Sequence, residues 1–133
     1  MAAKLVENEH IPHWKGKRVM VVEDDFISYK IIEKYLRPTG AEIVWAKDGI
    51  EALQIFQPDN FDLALVDIRM PRLNGIDLTR KLKQICERLP VVIQTAYGLP
   101  DHQRECYKAG ADAFIAKPFD QHYFLYKIRS FFT

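Results

Sequence analysis

The sequence RVMVVEDD at residues 18–25 sets a short apolar, β-branched run directly against three consecutive acids. The run Arg18–Val22 is typical of a β-strand that is buried on both faces. Apolar residues then recur at intervals of three and four, which predicts a helix that ends at Pro38-Thr39-Gly40. The residues of this apolar stripe are Ile27, Ile31, Ile32, Tyr35 and Leu36.

The same alternation of strand and helix continues to the end of the chain. Four further strands are predicted at Glu42–Ala46, Leu63–Val66, Pro90–Gln94 and Ala113–Ala116. The helices between and after them are predicted at Ile50–Phe56, Ile76–Cys86 (with Leu78, Leu82 and Ile85 on one side), Pro100–Ala109 and Gln121–Phe132. Five strands joined by single helices indicate an α/β domain with a doubly wound parallel sheet and five helices.

Composition limits the classes of protein to which the chain can belong. Its 133 residues are one domain's worth, with 48% apolar and 28% charged residues and a net charge of +1. This balance argues against direct binding of nucleic acid through bulk charge.

Residues 1–17 show no periodicity, so a tail or linker is predicted there and the folded domain at 18–133. No apolar run reaches the length of a membrane span, and no signal peptide is visible. We therefore expect a cytoplasmic protein, or the cytoplasmic portion of a membrane-anchored one.

Polar side chains lie where four of the predicted strands end. They are Glu23-Asp24, Asp67, Thr95 and Lys117, and the carboxyl ends of parallel strands meet at one edge of a sheet. Clustered carboxylates repel each other unless they are protonated or neutralised by a cation, and oxygen ligands of this kind suit Mg²⁺. A carboxylate there is also a possible nucleophile towards phosphorus, with a hydroxyl and an ammonium to bind phosphoryl oxygens. Each residue alone has an ordinary structural explanation, as a helix or turn cap, a strand residue or a surface lysine. Their shared placement at strand ends favours a functional site.

Four motifs resemble the receiver domain of two-component response regulators. They are VVEDD at Val21–Asp25, LVDIRMPRLNG at Leu65–Gly75, QTA at Gln94–Ala96 and AKPF at Ala116–Phe119. The intervals between them also agree with the family, at 95 − 67 = 28 and 117 − 95 = 22 residues. The resemblance covers Lys17 to the C-terminus and implies a flavodoxin-like sheet of strand order 2-1-3-4-5.

The resemblance implies a role for each acid. Asp67 matches the phosphoacceptor, which takes a phosphoryl group from a phosphohistidine on a histidine kinase or a histidine phosphotransfer protein. Asp24 matches a direct Mg²⁺ ligand and Glu23 a second acid that acts through water. Asp67 and the backbone carbonyl of Arg69 would complete the protein's metal ligands. Asp25 has no such role, and a solvated start to the first helix is predicted for it.

The resemblance also implies a conformational switch. Thr95 matches the switch hydroxyl, Lys117 the phosphate-binding lysine, and Phe114 the aromatic residue that rotates inward when Thr95 moves. The bond between Lys117 and Pro118 is usually cis in the family. Arg69 and Tyr97 match positions that tune hydrolysis of the acyl phosphate, and their bulk predicts a phosphorylated state that is not especially short-lived.

Three other classes of protein share parts of this sequence pattern. A Rossmann nucleotide binder needs glycines after the first strand, where this chain has acids. A haloacid-dehalogenase-type phosphatase needs a second acid where Arg69 stands, so an enzyme acting on external substrates is not expected. A pseudo-receiver that only docks partners remains the alternative, although every key residue is present. The segment Trp14–Lys17 and the stretch Pro38–Glu42 resemble receivers of hybrid histidine kinases, which we favour slightly over a stand-alone regulator.

The last predicted helix has two different faces. Its core stripe is predicted to be Phe124, Leu125, Ile128, Phe131 and Phe132. Tyr123 and Tyr126 project from the other side. In receivers the face made by the fourth helix, fifth strand and fifth helix is the usual partner surface, so these tyrosines are predicted to lie at a homodimer or partner interface.

Overall fold

A computed structural model describes residues 11–96 and 100–132 of the chain. Its five strands are β1 (Arg18–Val22), β2 (Glu42–Ala46), β3 (Leu63–Asp67), β4 (Val91–Thr95) and β5 (Ala113–Ala116). Every neighbouring pair of strands is parallel, and the order across the sheet is β2-β1-β3-β4-β5. The predicted fold class and strand order are therefore confirmed.

Five α-helices connect and follow the strands. They are α1 (Phe26–Leu36), α2 (Gly49–Ile55), α3 (Gly75–Ile85), α4 (Pro100–Lys108) and α5 (Gln121–Ile128), with short 3₁₀ helices at Arg37–Thr39 and Arg129–Phe132. The side chains of Asp25, Asp48, Asn74 and Asp120 cap four of them by accepting a hydrogen bond from the backbone N–H three residues later. Such caps satisfy N–H groups that have no partner within the helix. Asp25 thus starts α1, as predicted.

The sheet separates two apolar cores because side chains alternate along each strand. On one side, Met20 and Val22 of β1 pack with residues of α2, α3 and α4. On the other side, Val19 and Val21 pack with residues of α1 and α5. The predicted core stripe of α5 lies in this second core, with Phe131 only partly buried.

The predicted apolar stripe of α1 is partly wrong. The residues that face the core are Tyr29, Ile32 and Leu36, which follow the helical spacing of three and four. Ile27 and Ile31 lie on the opposite side and are exposed. The sequence pattern does not distinguish the buried face of α1 from its exposed face, because both faces carry isoleucine. Ile85, predicted on the same side of α3 as Leu78 and Leu82, lies at the end of that helix and is half exposed, whereas the two leucines are buried.

Trp14, within the segment predicted as a tail or linker, packs against the folded domain. The Trp14 side chain is buried, and its ring lies 4.5 Å from the ring of Phe132. Its backbone N–H donates a hydrogen bond of 2.7 Å to the carbonyl of Thr39. A single tryptophan leaves no periodic signal in the sequence, so its burial was missed. No helix in the described ranges is long and apolar enough to cross a membrane.

Candidate functional site

Three carboxylates meet where β1 and β3 end. Glu23 and Asp24 directly follow β1, and Asp67 is the last residue of β3. One carboxylate oxygen of each residue lies within 4.8 Å of those of the other two. Glu23 and Asp67 are 1% and 7% exposed, whereas Asp24 is open to solvent. The convergence that the strand-end positions predicted is therefore present.

The Lys117 ammonium links the two buried acids. Its Nζ donates to Glu23 Oε1 at 3.1 Å and to Asp67 Oδ1 at 3.3 Å. Lys117 follows β5, and its peptide bond to Pro118 is cis, as the resemblance implied. One ammonium thus faces three carboxylates, and the cluster carries an excess of negative charge.

Burial and mutual repulsion change the acidity of this cluster. Burial raises the pKa of Glu23 from 4.5 to about 7, and the charge of Asp67 adds to the increase against the opposing effect of Lys117. Burial also raises the pKa of Asp67 above its usual range. For Lys117, burial acts to lower the pKa, but the charges of Asp67 and Glu23 raise it overall. The single charge of Lys117 therefore compensates only part of the negative charge of the two buried carboxylates.

The donor set fits a hard divalent cation. Magnesium prefers oxygen ligands and typically binds one or two protein carboxylates together with water. Glu23, Asp24 and Asp67 offer this chemistry, and the exposed Asp24 leaves one side open for water. Arg69, whose carbonyl was predicted as a further ligand, is an exposed residue two positions beyond Asp67, and its role stays a prediction.

The predicted switch residues lie on neighbouring strands. Thr95 is fully buried as the last residue of β4 and is in register with Ala116 of β5. Phe114, two residues earlier in β5, is buried in the core shared with α4. Their roles in switching remain predictions, and Tyr97 lies outside the described residues.

Trp45 supports the acidic loop in a way that the sequence analysis missed. Its indole N–H donates a hydrogen bond of 2.7 Å to the backbone carbonyl of Glu23. Its ring stacks on Tyr29 of α1 with centroids 4.2 Å apart and planes 6° from parallel. The sequence pattern predicts only that Trp45 belongs to β2. Because a half-buried indole N–H needs an acceptor, a tryptophan on the strand beside β1 indicates a contact with a neighbouring segment, but not which one.

An exposed apolar cluster lies beside the acids on α1. We call Phe26, Ile27 and Ile31 the α1 patch; they are 56%, 69% and 42% exposed. Phe26 and Ile27 follow the acidic loop within three residues of Asp24. On α5, Tyr123 and Tyr126 are exposed, as predicted, and their place at an interface stays a prediction.

The fold and the site together define a doubly wound α/β domain with an acidic, lysine-linked site at the carboxyl edge of its sheet. The family described as "Response regulator receiver domain" matches residues 19–129. The chain belongs to that family and is a receiver domain of two-component signalling.

Individual relatives agree with the family assignment. The chain is 31% identical to the polar-differentiation response regulator DivK of Brucella anthropi over 86% of this chain and 95% of that protein. It is 37% identical to a probable transcriptional regulator, ycf29, of Pyropia yezoensis, over 77% of this chain but only 47% of that longer protein. A similar solved structure is the receiver domain of a sensor histidine kinase from Pseudomonas aeruginosa, with magnesium in its active-site cleft. That structure has a TM-score of 0.79 and 28% identity, and the match covers 87% of this chain and 97% of the other.

Proposed function

We propose that this domain accepts a phosphoryl group on Asp67 from a phosphohistidine of a histidine kinase or a histidine phosphotransfer protein, in a reaction that requires Mg²⁺. The observation that carries the proposal is the environment of Asp67. Its carboxylate is nearly buried, lies within 4.8 Å of two other acids, and accepts a hydrogen bond from Lys117. The receiver family and the magnesium-bound relative support this assignment.

In the proposed reaction an Asp67 oxygen attacks phosphorus, and the bond between phosphorus and the histidine nitrogen breaks. The electron pair of that bond leaves with the imidazole. Glu23, Asp24 and Asp67, with the Arg69 carbonyl, would hold Mg²⁺, which would supply positive charge for the phosphoryl oxygens. The Lys117 ammonium would neutralise one phosphoryl oxygen, and the Thr95 hydroxyl would donate a hydrogen bond to another.

Phosphorylation then changes the distal face in this proposal. Thr95 moves towards the phosphoryl group, Phe114 follows, and the population shifts towards a second arrangement of α4, β5 and α5. Tyr123 and Tyr126 would contact a second copy or a partner on that face. The domain would act on itself, without an external substrate or direct contact with nucleic acid or membrane, and its acyl phosphate would hydrolyse slowly. A cytoplasmic location, as a regulator or as the receiver of a hybrid histidine kinase, accords with this chemistry.

The proposal is tested with acetyl phosphate as the donor. We expect intact-protein mass spectrometry to show a gain of one phosphoryl group with Mg²⁺ and none with EDTA, and peptide mapping to place it on Asp67. Incorporation without Mg²⁺, or on another residue, would contradict the proposed site. No incorporation with any small donor would favour the alternative, a pseudo-receiver that serves only as a docking module.

The α1 patch is proposed as the contact for the phosphohistidine donor, because a donor that reaches Asp67 must cover the adjacent surface. We expect Ile27→Ser to slow transfer from a phosphorylated histidine phosphotransfer protein at least about tenfold, since Ile27 offers a large apolar contact area. Phosphorylation of the same variant by acetyl phosphate should be unchanged.

The two donors separate docking from chemistry in this experiment. Ile85→Ser is the matched control, because Ile85 is also an exposed isoleucine at 49% but lies at the end of α3. It should leave both reactions unchanged. Equal loss with both donors in Ile27→Ser would show damage to the site rather than to docking, and no loss with either would remove the α1 patch from the contact.

A further inference from the structure

A cleft of about 520 Å³ lies between α1 and the segment that follows β5. Its walls are largely apolar and include Ile31 and Tyr35 from α1 and Pro118 and Phe119 from the segment after Lys117. The rings of Tyr35 and Phe119 stand 6.1 Å apart at an angle of 59°. The volume is in the range that small-molecule sites occupy.

Gln94 of β4 lies in the wall of this cleft, and its side-chain amide is buried. The residue is 2% exposed, and neither its side-chain oxygen nor its side-chain nitrogen has a hydrogen-bond partner among the described residues. Residues two apart in a strand share a face, and Val92 packs in the core with α1 and α5. The Gln94 side chain therefore faces the layer that holds the cleft.

The other polar groups of the cleft already have partners. The Tyr35 hydroxyl donates to the Phe119 carbonyl at 3.2 Å, and Ser28 Oγ donates to Asp25 at 2.8 Å. Lys117 Nζ is shared between Glu23 and Asp67. Buried polar groups are nearly always paired in folded proteins, so an unpaired carboxamide beside an open cleft indicates a missing partner.

We propose that this cleft binds a small, uncharged molecule that has an apolar body and an amide group, and that the Gln94 side chain turns towards the cleft to pair with that amide. A carboxamide offers both a donor and an acceptor, and another amide complements both in one plane. A carboxylate would leave the Gln94 oxygen unpaired, and an ammonium its nitrogen; each would also lose its own hydration among apolar walls. Ile31, Tyr35 and Phe119 would contact the apolar part of the molecule.

Titration with benzamide, followed by ¹⁵N–¹H correlation spectra, tests the proposal. The Gln94 side-chain NH₂ group gives its own pair of signals, which we expect to shift together with the backbone signals of Ile31 and Phe119. A dissociation constant on the order of 1 mM is typical of a ligand this small. Ethylbenzene, which lacks the amide, should bind at least about tenfold more weakly.

Gln94→Met is the matched variant, because methionine is similar in size and apolar. The variant should fold, since the substitution removes an unpaired amide. Its affinity for benzamide should fall at least about tenfold, and its affinity for ethylbenzene should be unchanged. Gln94→Leu is a second variant with the same expected result. Benzamide should still bind Asp67→Asn, so this proposal stands or fails separately from phosphoryl transfer. Equal affinity in Gln94→Met, shifts confined to another surface, or a bound water on Gln94 with no benzamide binding would each overturn it.

Discussion

Replacing Asp67 with asparagine is expected to abolish phosphoryl incorporation and at the same time to stabilise the magnesium-free protein. The first effect follows because an amide does not form an acyl phosphate. The second follows because Asp67 and Glu23 are two buried carboxylates that share one ammonium. At pH 8 in EDTA we expect the free energy of unfolding to rise by about 1–2 kcal/mol, since one unit of pKa corresponds to about 1.4 kcal/mol.

The expected gain in the free energy of unfolding depends on pH. The pKa of Glu23 rises from 4.5 in the unfolded chain to about 7 in the folded protein, partly because of the Asp67 charge. The protonated form therefore favours the folded state, and stability is lost as pH rises from about 4.5 to about 7. In Asp67→Asn this loss should be smaller, because one of the two buried charges is absent. Urea unfolding from pH 4.5 to 8 in EDTA measures the difference.

Asp59→Asn is the matched control for this substitution. Asp59 is exposed, pairs only with an exposed Arg88 among the described contacts, and has a φ of 70°, which asparagine tolerates. Its stability should change by less than about 0.5 kcal/mol, and phosphorylation should be unaffected. An Asp67→Asn protein that is less stable than the wild type at pH 8 in EDTA would contradict the inference that two buried carboxylates share too little positive charge.

Replacing Gly75 with alanine is expected to destabilise the domain by about 3 kcal/mol. A Cβ atom at Gly75 would lie 2.8 Å from the Ile68 Cα and closer still to the Asp67 carbonyl oxygen. These neighbours are backbone atoms, and the Gly75 N–H also donates to the Ile68 carbonyl at 3.0 Å. The strand end that carries Asp67 must therefore move, at the cost typical of an overpacked interior.

The same movement should weaken magnesium binding, because Asp67 would leave its position beside Glu23 and Asp24. Chemical unfolding and a Mg²⁺ titration followed by tryptophan fluorescence measure the two effects. Gly16→Ala is the control, since nothing lies within 4 Å of the added carbon and only its φ of 88° is unfavourable. It should lose about 1 kcal/mol and keep its affinity for Mg²⁺. Equal behaviour of the two variants would argue against a clash at Gly75.

Periodicity made the fold predictable, and strand ends made the acid cluster predictable. A buried parallel strand must be apolar along its length, so the change to acid at Glu23 or Asp67 marks its end clearly. The side chains that support the site leave no such mark. Trp45 contacts Glu23 through one hydrogen bond across neighbouring strands, and its partner is a backbone carbonyl that has no sequence signature.

The faces of α1 show a second limit of sequence reasoning. Ile27, Ile31 and Ile32 are chemically alike, and only the packing of the helix on the sheet determines which of them is buried. Gln94 is a third case, because an alternating strand pattern does not show whether a buried polar side chain has a partner. These features depend on contacts between distant segments rather than on local spacing.

The contact between Trp14 and Phe132 determines how the domain can be tethered. Trp14 precedes β1, and Phe132 follows α5, so both rings mark the edge of the sheet opposite to the acids. The described chain therefore enters and leaves the domain at the same end of the molecule. The acidic site lies at the opposite end of the sheet, so segments joined to either end of the domain would leave the approach to Asp67 uncovered.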